Sequence, residues 1–288
     1  MREFRLTARA CPVQCGGAQL LNAGRFDVND IKQLDIDGLR EALSDQVVGR
    51  HLFYHGRLLS TMDETHRLAG EGEPEGAVVF AEEQPGARGR FNRPWISPPG
   101  LNLSFSVLFR PDIDKMPYLN MASALAVGDA VSDLAGLATK IKWPNDVRVD
   151  GKKLSGILLE SDTVGAKIDH AVVGIGVNVN LDAGRHPEIA SIATSIMSEC
   201  GREFDRSTAL RLVLVHLDRY YAQIKSGISL TSEWASRLET LGKLVQVRWR
   251  NKVIDGTAET VDDQGNLVVR QSDGSKVSVV AGEVTLQV

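Results

Sequence analysis

Cysteine is scarce in this chain: three in 288 residues, at positions 11, 15 and 200. Three thiols cannot build a disulfide framework in a chain of this size. Cys11 and Cys15 could make half a metal site, but no second cysteine pair or His-x-His completes it, so free thiols in a reducing compartment are expected. Long hydrophobic runs are missing as well. Nothing approaches the length of a membrane span, and the charged N-terminus has no apolar stretch of the kind a secretory signal needs. The expectation is a cytoplasmic protein. An excess of one charge is also absent: 33 Lys and Arg against 37 Asp and Glu give −4, no whole-chain reason to bind nucleic acid or acidic lipid. There is no Walker A loop, no dinucleotide fingerprint, no metalloprotease signature, and no Ser/His/Asp order among the six histidines. What is present is ordinary for a soluble globular protein, 43% hydrophobic and 24% charged, in a chain long enough for one large domain or two.

Residues 1–36 mix Gly, Cys and charge without a clean period and read as an irregular N-terminal extension. From Asp37 a short helix and a strand over 51–55 precede Ser60-Thr61. There Thr61 with Glu64 reads as a capping box opening a helix to about Ala69. A short buried strand spans 77–81. Leu101, Leu103, Phe105, Val107 and Phe109 alternate with Asn102, Ser104 and Ser106, a strong strand signal. Pro117 opens an Ala-rich helix ending near Gly136. Lys142-Trp-Pro-Asn-Asp146 and the run from Lys153 read as two strands joined by Asp150-Gly151, a pair suited to a type I′ turn. Pro144 inside the first of them argues for an edge or a bulge. Residues 171–180 form another strand, 181–206 a loop region, 207–226 a long helix and 231–241 a shorter one. After Gly242 short strands with close turns predict a small barrel. The expected organisation is therefore 1–36, 37–241 and 242–288.

Four clusters carry chemistry. The loop over 84–95 places Arg88, Arg90 and Arg93 around Gly89, and arginine forks on a flexible loop suit carboxylate and phosphate oxygens. A solvated surface loop would explain them equally. Ser60-Thr61 at a helix start offers hydroxyls and free N–H groups, although capping alone accounts for both. Gly174 and Gly176 inside an apolar strand imply close approach of a ligand or of packed neighbours, and Asn178 suits either a purine edge or a turn. Lys142, Asn145, Asp146 and Lys153 crowd one hairpin. A cross-strand ion pair explains two of them but not all four.

Taken together, these segments resemble the biotin protein ligase family, in order and at consistent spacing from about Leu59 to the C-terminus, roughly four-fifths of the chain. The specific parts are Ser60-Thr61, the Gln84…Arg88-Gly89-Arg90 loop with Trp95 and Ser97-Pro98, Lys142-Trp-Pro-Asn-Asp146, Lys153-Leu-Ser-Gly-Ile-Leu158, Gly174-Ile-Gly-Val-Asn178 and the closing Gly282-Glu-Val-Thr-Leu286. The resemblance implies an α+β fold. A mixed sheet backed by helices, of the class II aminoacyl-tRNA-synthetase type, would form the biotin- and ATP-binding catalytic domain, and a small SH3-like β-barrel would close the chain.

The implied activity is a two-step ligation through biotinyl-5′-AMP, with ATP and Mg²⁺, onto a lysine of a biotin carboxyl carrier domain of a carboxylase. Carried over by position, Ser60, Thr61, Met62 and Gln84 hold biotin, and Arg88, Gly89 and Arg90 close over biotin and adenylate. Trp95, Lys142, Asn145 and Asn178 serve the nucleotide. Lys153 meets both the biotin carboxylate and the α-phosphate. Lys153, Arg90 and Asp146 are the implied catalytic set, with Asp146 also the candidate for Mg²⁺ or for orienting the attacking lysine.

Three positions depart from the family pattern. Ala87 stands where many members have glycine, and Met62 where many have asparagine. About 50 residues precede the Ser-Thr motif's strand, without the basic helix-turn-helix of members that repress biotin genes. The expectation is a monofunctional ligase without DNA binding, a monomer or weak homodimer, that meets its carrier by edge-strand pairing and the barrel. The rivals are a lipoate–protein ligase, a biotin-sensing regulator and a degenerate adenylate binder.

Overall fold

The structure, a computed structural model, describes residues 33–165, 167–249 and 252–286. The extension expected over 1–36, with Cys11 and Cys15, falls almost wholly outside them. In chain order the elements are α1 (Ile36–Ala42), β1 (Leu52–Arg57), α2 (Thr61–Gly70), β2 (Val78–Glu83), β3 (Leu103–Phe109), α3 (Met116–Ala135), β4 (Lys140–Lys142), β5 (Asp146–Val149), β6 (Lys152–Val164), β7 (Lys167–Val177), α4 (Ile196–Cys200), α5 (Arg206–Lys225), α6 (Thr231–Ser236), β8 (Leu244–Trp249), β9 (Lys252–Val261), β10 (Leu267–Arg270), β11 (Lys276–Val279) and β12 (Glu283–Leu286).

β1 to β7 make a seven-stranded sheet in the order β1-β2-β3-β7-β6-β5-β4. Only β1 and β2 pair in parallel, because α2 carries the chain back between them; the other pairs are antiparallel. The sheet is mixed and helix-backed, as the α+β expectation has it. β8 to β12 form a second, antiparallel sheet in the order β11-β10-β9-β8-β12. Gln33–Val288 form one compact unit, and a single hydrophobic cluster contains Phe105 and Leu125 beside Val247 and Val269. The boundary expected at 242 thus separates two sheets that share a core.

The Ala-rich α3 is buried around most of its circumference, from Leu119 through Val131. It lies between the large sheet and α5, and its alanines permit that close packing. Pro117 stands in its first turn and Gly136 ends it at φ +68°. On the opposite face of the sheet, Met62 and Ala69 of α2 pack with Leu108 and Val172. β2, β3 and β7 therefore send alternate residues to a thick core on one side and to α2 on the other.

Four local expectations are corrected. The cap of α2 is Ser60, whose Oγ accepts from the Asp63 N–H, so the capping pair lies one residue earlier than Thr61 and Glu64. Trp143, Pro144 and Asn145 form the turn between β4 and β5 rather than lying within a strand, and the Trp143–Pro144 peptide is cis. The region read as loop over 181–206 contains α4, capped by Ser195. The shorter C-terminal helix stops at Ser236 rather than reaching 241. The Asp150-Gly151 turn stands as expected, with both residues at positive φ, +44° and +78°.

Candidate active site

One cleft lies on the α2 side of the large sheet. Its floor comes from β3, β6 and β7, its wall from the start of α2, and its cover from the loop between β2 and β3. The turn before β5 and the start of β12 complete it. The alternation of β3 explains the floor. Leu103, Phe105, Val107 and Phe109 enter the thick core, while Ser104 and Ser106 face the cleft, both buried. Polar residues that alternation alone would assign to solvent here line a site.

A hydrogen-bonded chain organises one end. The Thr61 N–H donates to Gln84 Oε1 at 2.8 Å, Gln84 Nε2 donates to the Ser104 carbonyl at 3.1 Å, and the Thr61 and Ser106 hydroxyls meet at 2.8 Å. Met62 packs beside them: a Cβ on Gly174 would stand 2.6 Å from its sulfur. Met62 therefore contributes by filling space over β7. Arg88 reaches from the cover loop to Asp63 at 2.8 Å and Glu160 at 3.2 Å. These bonds, Asp63 first, raise its pKa above the ordinary arginine value.

The other end is cationic. One extra residue in β6 opposite Val147–Arg148 shifts the side-chain alternation, so that Lys153 and Gly156 both line the cleft. Lys153 Nζ lies 2.6 Å from Asp146 Oδ1 and 5.7 Å from the centre of the Trp95 ring. Arg90 donates to Asn145 Oδ1 at 3.2 Å and to the Gly282 carbonyl at 3.0 Å, which ties the cover loop to the second sheet. Arg93 pairs with Glu283 on the same side. Burial pushes Arg90 and Lys142 below their ordinary pKa values, against the opposing pull of Asp146. Five cations, Arg88, Arg90, Arg93, Lys142 and Lys153, thus line the cleft with two carboxylates, Asp146 and Glu283. That balance favours an anionic ligand.

Trp95 lies flat on a glycine pair. Gly156 and Gly176 are cross-strand partners, and a Cβ on Gly176 would collide with the indole. The indole N–H is buried and meets no acceptor among the described residues. Gly176→Ala is therefore expected to displace Trp95 and loosen the cover loop, seen as faster proteolysis within residues 84–95 at little change in melting temperature.

The sequence-predicted residues Ser60, Thr61, Met62, Gln84, Arg88, Gly89, Arg90, Trp95, Lys142, Asn145, Asp146 and Lys153 all line this cleft. Asn178 does not. It is buried beyond the floor, its amide donating to the Thr194 carbonyl at 2.9 Å and its Oδ1 facing Asn102 at 3.5 Å. Reading the sequence missed Ser104, Ser106, Glu160 and the Gly282–Val284 contribution. The serines carried a signal in the polar side of β3, whereas Glu160 had none apart from its place in β6.

Residues 57–178 match the model of the biotin/lipoate A/B protein ligase family, and residues 240–286 that of the biotin protein ligase C terminal domain. The chain is 35% identical over 243 residues to the bifunctional ligase/repressor BirA of Bacillus subtilis, covering 83% of this chain and 75% of that protein. It is also 35% identical over 233 residues to the biotin–[acetyl-CoA-carboxylase] ligase of Paracoccus denitrificans, covering 78% and 96%. Among solved structures, the biotin protein ligase of Aquifex aeolicus in complex with biotin and ATP superposes with a TM-score of 0.70 at 27% identity, covering 83% of this chain and 99% of that one.

Proposed function

We propose, from the premise that this chain belongs to the biotin protein ligase family, that it joins biotin to a lysine of a biotin carboxyl carrier domain through biotinyl-5′-AMP. One observation carries the reading. Lys153 and Asp146 face each other at 2.6 Å, with the cationic group of Arg90 and Lys142 and the neutral chain of Thr61, Gln84 and Ser106 lining the same cleft. The cationic end suits a triphosphate, and the neutral end suits a small uncharged ring that both donates and accepts hydrogen bonds.

In the first step the biotin carboxylate attacks the α-phosphorus of ATP and pyrophosphate leaves. Two anions must approach, and Lys153 and Arg90 offset their repulsion by donating to the oxygens where charge accumulates. In the second step the carrier's lysine amine attacks the acyl carbon of the mixed anhydride and AMP departs. Asp146, paired with Lys153 at 2.6 Å, would either orient that amine or hold Mg²⁺, and the amine's proton leaves to solvent as AMP departs. The cover loop, pinned through Arg90 to the second sheet, keeps water from the anhydride. Asp146 and Glu283 are the carboxylates lining the cleft, and one or two carboxylates completed by phosphate oxygens are a common Mg²⁺ donor set. Asp146 would hold that ion, which neutralises the polyphosphate. The carrier of a carboxylase is the proposed partner, and DNA binding is not proposed. A salt-dependent gel shift showing sequence-specific binding would reverse that point.

Two measurements test the substrate. Biotin should raise the melting temperature and lipoate should not, because a dithiolane ring leaves the Thr61–Gln84 end without partners and sites built to hydrogen-bond reject such analogues strongly. A shift with lipoate alone would move the assignment to a lipoate–protein ligase. Nucleotide binding should also take up protons in alkaline buffer. Burial holds Lys142 below the usual lysine range, and a phosphate beside it restores the charged form. Calorimetry in buffers of different ionisation heat would read this uptake, and Lys142→Gln should remove it.

A further inference from the structure

The face of the sheet that carries the cleft holds a second cluster, farther along α2 and outside the residues lining the cleft. His66 comes from α2, and Asp162 of β6 and His170 of β7 are direct cross-strand partners. His66 Nδ1 lies 2.8 Å from His170 Nε2, and these nitrogens lie 3.4 and 3.5 Å from the same oxygen, Asp162 Oδ2. A point equidistant from these three atoms stands about 1.9 Å from each, close to the roughly 2.0–2.2 Å of zinc–imidazole and zinc–carboxylate bonds.

The outer nitrogens reinforce this geometry. His170 Nδ1 lies 2.7 Å from Asp169 Oδ2, so its proton is held there and Nε2 presents a lone pair inward. An extra residue in β7 at the Asp162/Thr163 step places Asp169 for this contact. His66 Nε2 faces Glu160 Oε2 at 3.5 Å, a carboxylate toward which its proton can turn once a cation occupies Nδ1. Imidazoles backed by carboxylates, with converging inner nitrogens, are the arrangement that orients metal-binding histidines. Without a cation, two imidazole nitrogens at 2.8 Å must share one proton between them. His170 is almost wholly buried, His66 is about one-fifth exposed and Asp162 is 64% exposed, so the cluster opens to solvent on the Asp162 side.

We propose that His66, Asp162 and His170 bind a divalent cation of the zinc class, with a water molecule in the fourth position. Two imidazoles and one carboxylate suit zinc and disfavour magnesium or calcium, which take oxygen donors. The ion would pin α2 to the β6–β7 hairpin. It acts one turn from Met62, less than two from Ser60 and Thr61, and beside the Glu160 carboxylate that receives Arg88. The proposal stands on this cluster alone and does not depend on the ligase reading.

The full-length chain, stripped with a chelator, should bind one equivalent of Zn²⁺ in competition with a chromophoric chelator. Co²⁺ should give visible bands of a four-coordinate site without a thiolate charge-transfer band. His66→Gln and His170→Gln should each lower affinity by more than about 100-fold, the upper end of what loss of a mere outer-shell partner costs. Asp162→Asn, at an exposed position that leaves folding intact, should lower it by about 10-fold. Each variant is checked for an unchanged melting temperature in chelator. Absence of binding by the wild type would overturn the proposal, leaving a hydrogen-bonded imidazole pair. A thiolate band, or affinity unchanged in Asp162→Asn and in the folded histidine variants, would overturn it by placing the metal elsewhere.

Discussion

Lys153→Gln is expected to lower the rate of adenylate formation by about 100- to 1,000-fold, roughly 3–4 kcal/mol of transition-state stabilisation, while leaving the fold intact. The effect follows from where the ammonium sits. The bulge in β6 turns Lys153 into the cleft, where Asp146 at 2.6 Å and the Trp95 ring fix it. A preorganised cation needs no reorientation when two anions are pressed together, and a flexible surface lysine could not substitute for it. The glutamine variant keeps a hydrogen-bond donor and loses the charge. Biotin affinity should therefore fall far less than the rate does. Asp146 remains near Arg90 and Lys142, both of whose pKa values already feel it, so no carboxylate is stranded and the melting temperature should move only slightly. Single-turnover formation of biotinyl-AMP would separate chemistry from binding.

Arg206→Met should destabilise the protein by about 3–5 kcal/mol, a fall in melting temperature on the order of 10 °C. Arg206 and Glu82 are both almost fully buried and meet through two parallel bonds, Nη1 to Oε2 at 2.8 Å and Nη2 to Oε1 at 2.9 Å. Glu82 also accepts from Tyr54 Oη at 3.1 Å and the Gly100 N–H at 3.2 Å, and Arg206 donates to the Asn102 carbonyl at 3.1 Å. Burial, with Glu82 beside it, pushes Tyr54 up to about 12. Removing the guanidinium leaves a carboxylate in the core with only neutral donors, which costs far more than the intact pair contributes. The partner substitution tests this asymmetry: adding Glu82→Gln to Arg206→Met should recover much of the loss, because it removes the stranded charge. A double variant no better than the single one would contradict the account. The pair also joins the start of α5 to the loop that returns from the cleft cover, so biotin binding should weaken in the single variant.

Legibility in the sequence followed the range of the interactions. The Asp150-Gly151 turn was readable because two successive positive φ values demand such residues locally. The helix over Met116–Ala135 was readable from Pro117, Gly136 and the alanine run between them. The cleft residues came from motifs whose spacing matched a family, and twelve positions from Ser60 to Lys153 line one surface. The α2 cap was misplaced by one residue because Ser60 and Thr61 are both good caps and only backbone geometry chooses between them. Trp143 to Asn145 read as strand because residues before and after do form strands, and the turn between them carries no glycine.

What stayed hidden depends on distant pairing. His66 and His170 stand 104 positions apart, and Glu82 and Arg206 stand 124 apart. No local pattern announces that these residues meet. Asn178 shows the converse. Its motif pointed to the nucleotide, whereas its amide is spent on Thr194 and Asn102. Asn178→Ala is accordingly expected to lower stability by about 1–3 kcal/mol, with a smaller effect on nucleotide affinity; thermal melting and calorimetry would distinguish the two.

The central claim is tested most directly by incubating the protein with labelled biotin, ATP, Mg²⁺ and a purified biotin carboxyl carrier domain. The account predicts label on the carrier's lysine, with AMP and pyrophosphate released in equal amounts, and almost none with Lys153→Gln. Tight biotin binding without transfer by the wild type, or transfer that survives Lys153→Gln unchanged, would contradict it.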